Sequence, residues 1–329
     1  MEIEGLRVLV TGGAGFIGSH IAQQLADAGA EVIVYDSMVR PAPDPVARSG
    51  VRVVVGDIMD YERLRAACQG VDVISHHAAQ LEVTTSLNDP LADLRTNAEG
   101  TLNVLRAAHE VDARKVILAS SACVYGEARY IPQDENHPTE PNWPYGVSKL
   151  AMEKYAQVFS IYYRLPIVSV RYAITYGENE WYGRVLTAFA RRAIEGKPPV
   201  VWGGGQQIRD FTYVGDAARL HNLLIQRDEV TSGAFNVSTG IGTTILELAR
   251  MFSQTFHLPA PIAENIAQGE ASREVEGRVR LPLELKRMVL ENESARALGW
   301  SPEIPLNEGI RREVAWARRH LDHWQRPSA

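Results

Sequence analysis

The chain has 329 residues, 45% hydrophobic and 22% charged. That is enough to bury a full core with a second, smaller lobe, and it excludes disordered, collagen-like and coiled-coil classes. A formal net charge of -6 provides no broad cationic field, so binding of nucleic acid or an anionic membrane as the main task is not expected. Cys68 and Cys123 are the two cysteines, too few for a disulfide framework and without metal-type spacing, which fits a reducing compartment with the cytoplasm as default.

The charged start Met1 to Gly5 leads straight into the apolar run Leu6 to Val10, unlike a signal peptide, and no apolar stretch approaches the about 20 residues that span a bilayer. Short β-branched runs then alternate with amphipathic segments: Val8 to Val10, Ser19 to Ala28, Val32 to Val34. Further strands are predicted at Val51 to Val55, Val71 to Ser75, Lys115 to Ala119 and Ile167 to Arg171, and helices at Pro90 to His109 and Tyr145 to Tyr163. This is the pattern of a doubly wound parallel α/β sheet, a Rossmann domain over 1–175. Beyond it, glycine and proline punctuation marks a smaller α/β substrate-binding domain over 176–329, with part of 205–240 expected to return to the first. Leu258 to Pro282 reads as a covering loop or a linker, and Arg311-Arg312 and Arg318-Arg319 as a solvated face of a terminal helix.

Directly after the first strand comes Thr11-Gly12-Gly13-Ala14-Gly15-Phe16-Ile17-Gly18. Between a strand and a helix, such glycines allow a tight turn and bring backbone N–H groups and a helix N-terminus against a pyrophosphate; in any other context they are only a turn. Asp36 ends the second strand eighteen residues past Gly18, where a carboxylate accepts from a ribose 2′-hydroxyl and repels a 2′-phosphate, so NAD is expected over NADP. Arg40 is the one nearby feature that leaves NADP open.

Tyr145 and Lys149 are four apart at the start of a helical pattern and project from one face. A nearby ammonium stabilises a phenolate, so Lys149 is expected to lower the Tyr145 pKa and let it take a proton from a sugar hydroxyl during hydride transfer. Ser121, at the end of the strand Lys115 to Ala119, is the expected third donor, with Ser120 the alternative. A Tyr-x-x-x-Lys pair alone is usually a helix surface; the upstream glycines give it meaning. Cys123 reads as a small buried hydrophobe, and His76-His77, whose side chains should diverge at a strand end, do not read as metal ligands.

The motifs TGGAGFIGSH (Thr11 to His20), GDI (Gly56 to Ile58), HHAAQ (His76 to Gln80), NAEGTLNVL (Asn97 to Leu105), SSACVYG (Ser120 to Gly126), YGVSK, RDFTYVGD (Arg209 to Asp216) and FNVSTG (Phe235 to Gly240) are collinear. Together they resemble the extended short-chain dehydrogenase/reductase family, in its nucleotide-sugar epimerase and dehydratase branch, over nearly the whole chain. The resemblance implies that Gly12, Gly15, Phe16, Ile17, Gly18, Asp36, Asp57, Ile58, Ala78, Ala79 and Asn97 hold NAD together with Tyr145 and Lys149, with Asp57 and Ile58 at the adenine. It implies that Ser121 is the catalytic serine and also meets substrate, that Trp202 faces the nucleotide base, and that Arg209 meets the diphosphate; Arg280 is aligned with the family's late arginine near Arg280 to Glu284. An Arg fork suits phosphate on physical grounds as well.

Relatives that remove water or carbon dioxide carry an acid just after the catalytic Ser or Thr; here Ala122-Cys123 stands there. The expected reaction is therefore 4-epimerisation of a nucleotide-diphosphate sugar with retained NAD. A decarboxylase, 4,6-dehydratase or keto-reductase on the same scaffold is the alternative, and a catalytically silent NAD-binding scaffold the remote one. Ile174 stands where the family commonly has an asparagine that contacts substrate. A homodimer is implied, through the helices containing Asn97 to His109 and Tyr145 to Tyr163.

Overall fold

The computed structural model describes residues 1–39, 41–42, 50–180, 183–275, 279–280 and 284–321. Its first half runs β1 (Arg7–Thr11), α1 (Phe16–Asp27), β2 (Glu31–Asp36), β3 (Val51–Val55), α2 (Tyr61–Ala67), β4 (Val73–His76), α3 (Val83–Asn88), α4 (Pro90–Leu94), α5 (Gly100–Glu110), β5 (Lys115–Ser121), α6 (Pro144–Tyr163) and β6 (Ile167–Tyr172). The second half runs β7 (Ile174–Tyr176), α7 (Val185–Ile194), β8 (Val200–Trp202), β9 (Ile208–Tyr213), α8 (Val214–Gln226), β10 (Ala234–Val237), β11 (Gly242–Thr244), α9 (Ile245–Thr255), β12 (Ile262–Glu264), β13 (Arg287–Met288), α10 (Glu293–Ala297) and α11 (Leu306–Arg319).

Seven parallel strands in the order β3-β2-β1-β4-β5-β6-β10 form the central sheet. The fold is a doubly wound Rossmann-like α/β sheet, and its strand order reverses between β1 and β4, where such sheets open a crevice at the strand ends. β1, β4 and β5 are buried almost throughout because helices cover both faces, and two apolar cores result, one centred on Val8, Ile21, Leu25 and Val168, the other on Leu9, Leu64, Leu105 and Leu118. The last strand, β10, arrives from the second half of the chain, and α8 packs beside α1, where Gln24 donates to Gly215 O (3.1 Å).

The helix predicted over Pro90 to His109 is divided. One turn of π-helix, Arg95–Glu99, separates α4 from α5. The Thr101 hydroxyl donates to Asn97 O (2.5 Å), competing with the backbone ladder, and at Gly100 a Cβ would collide with Ile58 Cδ1, so the chain passes close to the loop after β3.

In the second lobe β9 pairs with β7, β11 and β13, while α7, α9 and α11 enclose a core containing Phe189, Phe211, Phe252 and Val314. The segment read as a covering loop or linker contributes β12, which pairs with β8, and Arg280 and Glu270 join backbone to backbone (3.0 Å). Residues 276–278 and 281–282 of that segment lie outside the described residues.

Two carboxyls are buried in this lobe without hydrogen-bond partners: Glu180, after β7, and Glu313, on α11, at 1% and 0% exposure. Burial pushes Glu180 up to about 8 against the pull of Arg184, and burial, with the charges of Glu180 and Glu178, pushes Glu313 well above the usual carboxylate range. Folded protein therefore holds protons that the unfolded chain releases near pH 4.5, so this contribution to stability is complete below that pH and is lost as pH rises towards about 8. Glu313→Gln is expected to raise Tm by a few degrees at pH about 8 and to flatten its fall from pH about 5.5, measured by calorimetry. An unchanged pH slope would contradict this reading.

Candidate active site

The turn after β1 is built by close approach. Gly12 has φ +66, and a Cβ there would lie 2.5 Å from Ala78 N; a Cβ on Gly18 would collide with Gly12 O. Only glycine lets β1, α1 and the end of β4 meet so tightly. At Gly15 a Cβ meets only Gly12 O, at 3.2 Å, on the side that opens into a cavity of about 340 Å³. Gly12, Gly15, Phe16, Asp36, Asp57, Ile58, Ala78 and Ala79 all line this cavity, whereas Ile17 and Gly18 stand behind the turn and do not.

The Asp36 carboxylate accepts from Ala14 N (3.0 Å) and Met38 N (2.9 Å). Burial pushes its pKa up and these two N–H groups pull it down. Arg40, the feature that leaves NADP open, lies outside the described residues. A glycine cradle facing a cavity, a helix N-terminus and a carboxylate at the far rim fit a dinucleotide with a free 2′-hydroxyl.

Tyr145 and Lys149 sit on the first turns of α6, behind Pro144, which suits a helix start because the missing N–H has no helical partner there. Tyr145 N donates to Ser86 Oγ (3.2 Å), Lys149 Nζ donates to Ala119 O (2.8 Å), and Lys149 Nζ lies 5.9 Å from the centre of the Tyr145 ring. The two serines at the end of β5 part company. Ser120 donates to Glu153 (2.5 Å), whereas Ser121, whose Oγ accepts from Cys123 N (3.2 Å), is the serine that acts on Tyr145, pulling its pKa down.

The electrostatics differ from the expectation that Lys149 lowers the Tyr145 pKa. Burial dominates: Tyr145 is held well above the ordinary phenol range, against the downward pull of Arg184 and of the Ser121 hydrogen bond. Burial also pushes Lys149 down to about 8, against the pull of Asp93, Cys123 and Glu153. Removing both side chains from water penalises the charged form of each, and at this separation the gain from pairing is smaller.

Asn97 does not line the cavity. It is fully buried in the π turn, where its amide donates to Asp93 (3.1 Å), Ser148 (3.0 Å) and Gln80 O (3.0 Å) and accepts from Gln80 N (2.9 Å). Its side chain braces the wall and α6. His76 is held between Thr11 (2.6 Å) and Thr101 (3.0 Å), and burial pushes it down to about 3. His77 lines the cavity, bonds Ser75 (3.1 Å) and faces His221. Among the described residues no group of three or more His, Cys, Asp or Glu could hold a metal ion. The Cys123 thiol is pushed up by burial.

On the second lobe, Trp202 ends β8 and donates from Nε1 to Glu264 (2.9 Å) on β12. Arg280 lies across the next residue, since a Cβ on Gly203 would collide with its guanidinium; it donates to Ile266 O (2.9 Å) and pairs with Glu284 (3.3 Å). Arg209 donates to Ile208 O and Leu285 O (2.9 and 2.8 Å), and its charge reaches Cys123. Trp202 and Arg280 are thus brought together around Gly203, with Arg209 acting on Cys123, two residues after Ser121. Sequence reasoning missed Arg184, whose charge acts on Tyr145 and Cys123, and Asp93, which acts on Lys149. Arg184 carries no local signal in the sequence; Asp93 lies four before Asn97, a helical spacing that could have linked them.

The model of the NAD dependent epimerase/dehydratase family matches residues 8–238. A putative UDP-glucose 4-epimerase of Methanocaldococcus jannaschii is 34% identical over 95% of this chain and 99% of its own. The crystal structure of UDP-glucose 4-epimerase with UDP-glucose from Thermotoga maritima superposes with a TM-score of 0.86 at 30% identity, covering 96% of this chain and 100% of that one. The complex of Thermus thermophilus UDP-glucose 4-epimerase with NAD gives 0.84 at 34% identity, covering 95% and 99%. With the glycine cradle, the Tyr145–Lys149 turn and Ser121 in place, the chain belongs to the NAD dependent epimerase/dehydratase family.

Proposed function

We propose that this chain is an NAD-dependent epimerase that inverts C4 of a nucleotide-diphosphate sugar through a transient 4-keto sugar, with NAD retained between turnovers. The observation that carries this reading is the convergence of Ser121, Tyr145 and Lys149, with Ala122 and Cys123 where a dehydratase or decarboxylase needs an acid. The Cys123 thiol, pushed up by burial, is a poor substitute for that acid. Similarity to UDP-glucose 4-epimerases over almost the full length supports the same reading and favours a uridine nucleotide.

NAD, held by the cavity wall from Gly12 to Ala79 with Asp36 on its ribose, supplies a reversible hydride acceptor and, when oxidised, a positive charge of the sign that lowers a phenol pKa. Tyr145 takes the proton from the C4 hydroxyl and returns it when the keto sugar is reduced on its other face. Ser121 hydrogen-bonds the same oxygen as it gains carbonyl character. Lys149, anchored on Ala119 O, fixes a positive charge beneath the tyrosine. Arg209 and Arg280 hold the diphosphate, each guanidinium having five N–H donors, and Trp202 stacks on the base. Ile174 makes the sugar pocket more apolar than the usual asparagine would.

The protein acts in the cytoplasm as a homodimer in this reading. Val147, Tyr155, Val158, Ile161 and Tyr162 are exposed along α6, beside exposed Leu87, Leu91 and Leu94 from α3 and α4. A band of this kind on one face is the mark of an association surface. Its position shifts the expected interface: α6 remains, while the neighbouring contribution comes from α3 and α4, since α5 has no large exposed hydrophobic residue among those described. No helix among the described residues is long and apolar enough to cross a membrane.

Tyr145→Phe is expected to cut turnover of UDP-glucose or UDP-galactose by at least about a hundredfold while the protein still carries NAD, measured by product analysis and by nucleotide released on denaturation. Undiminished turnover would remove Tyr145 from the mechanism. Ile161→Glu is expected to convert a dimer to a monomer in sedimentation at micromolar protein; a wild-type monomer under those conditions would contradict the dimer.

A further inference from the structure

A line of polar side chains crosses the apolar core behind the cofactor cavity. Val73 of β4, Val168 of β6, and Leu220 and Leu224 of α8 belong to one core. Ser75, two residues after Val73, projects from the same face of the sheet, and His221 follows Leu220 on α8; both are fully buried. Tyr172 Oη, at the end of β6, is 3.2 Å from His221 Nδ1, His221 Nε2 is 2.8 Å from Ser75 Oγ, and Ser75 Oγ is 3.1 Å from His77 Nε2. The His77 and His221 rings lie 4.8 Å apart. His77 is half-buried and lines the cavity. Its Nε2 is turned inward to Ser75, while Nδ1 has no hydrogen-bond partner among the described residues, yet is not enclosed. Nδ1 is therefore the ring nitrogen left to the cavity.

The protons on this line have one arrangement in which each finds an acceptor. Burial keeps the Tyr172 phenol protonated and drives both imidazoles neutral, so each ring carries a single N–H. His221 Nδ1 is the one partner of the Tyr172 hydroxyl among the described residues, so Tyr172 donates to it. His221 then carries its proton on Nε2 and donates to Ser75 Oγ. The Ser75 hydroxyl has His77 Nε2 as its remaining partner and donates there. His77 is left with its proton on Nδ1, because the bond made at one ring nitrogen decides which nitrogen is protonated. Any other arrangement strands a buried O–H, and in an apolar core such a group has no water to turn to. We infer that Tyr172, His221 and Ser75 are positioning residues that hold His77 as its Nδ1–H tautomer, and that His77 donates from Nδ1 to a ribose or phosphate oxygen of the bound dinucleotide.

The donor role rests on the reading of the cavity as the NAD site; the tautomer does not, and it is measured separately. The chain has nine histidines. In protein labelled with ¹⁵N-histidine, long-range ¹H–¹⁵N spectra report the tautomer of each ring, and His77 and His221 are assigned by their loss in His77→Phe and His221→Phe. At neutral pH His77 is expected to be protonated on Nδ1 and His221 on Nε2. Ser75→Ala, which cuts the line by removing one oxygen, is expected to turn His77 into a mixture of tautomers. Tyr172→Phe, which removes only the first donor, is expected to do so in both rings. Release of bound NAD on dilution is expected to be about fivefold faster in His77→Phe, the share of one neutral hydrogen bond, and to quicken by less in Ser75→Ala. A His77 protonated on Nε2, or one whose tautomer neither Ser75→Ala nor Tyr172→Phe disturbs, would overturn the positioning role. Unchanged NAD release in His77→Phe would overturn the donor role. Unaltered protein that binds no NAD would instead contradict the cofactor reading, with the tautomers unaffected.

Discussion

The buried ion pair between Arg171 and Glu153 fixes where α6 lies on the sheet, and the placement of Tyr145 and Lys149 depends on it. Arg171, on β6, meets both oxygens of Glu153 (2.9 and 2.7 Å) and bonds Tyr125 Oη (2.9 Å), which in turn donates to Asn236 on β10 (2.7 Å). Ser120 of β5 closes the network on Glu153. Tyr145, Lys149 and Glu153 follow one another at four-residue intervals, so the turn that anchors α6 is in line with the turns that carry Tyr145 and Lys149. A pair buried this deeply adds little net stability compared with an apolar packing, and its removal on one side leaves a stranded charge. What it contributes here is register: three strands and one helix are held in a single arrangement, with Ser121 brought to Tyr145.

The parts legible in the sequence are those whose chemistry is local. The glycine turn, Asp36 and the Tyr145–Lys149 pair declare themselves through spacing along one strand or helix, and the alternating pattern of the first half gives the parallel sheet. The parts not legible depend on contacts between distant segments. Nothing near Ser120 and Ser121 says which of them turns toward Tyr145; Glu153, thirty-three residues on from Ser120, decides it. Asn97 sits in a motif that suggests a cofactor contact, yet the π turn directs its amide into the protein. Spacing alone presents Lys149 as a full charge that lowers a neighbouring phenol, whereas burial lowers the lysine to about 8 and raises the phenol.

Burial is also what makes the site selective about charge. Tyr145 is raised, Lys149 is lowered to about 8 and His76 to about 3, so at neutral pH the tyrosine and the histidine are neutral while the lysine keeps its charge. A cationic ring or a diphosphate entering such a space is felt strongly, because little water is present to screen it. Arg280 lies across Gly203 beside Trp202, and Arg209 is held on Leu285 O.

The central claim is that the chain inverts a sugar carbon and leaves its composition unchanged. The most direct test is to incubate the purified protein, without added cofactor, with UDP-glucose and UDP-galactose and to follow the configuration at C4 together with product mass. The account predicts interconversion of the two at constant mass. A product lighter by water or carbon dioxide, or a reaction that consumes added NAD or NADPH, would contradict it.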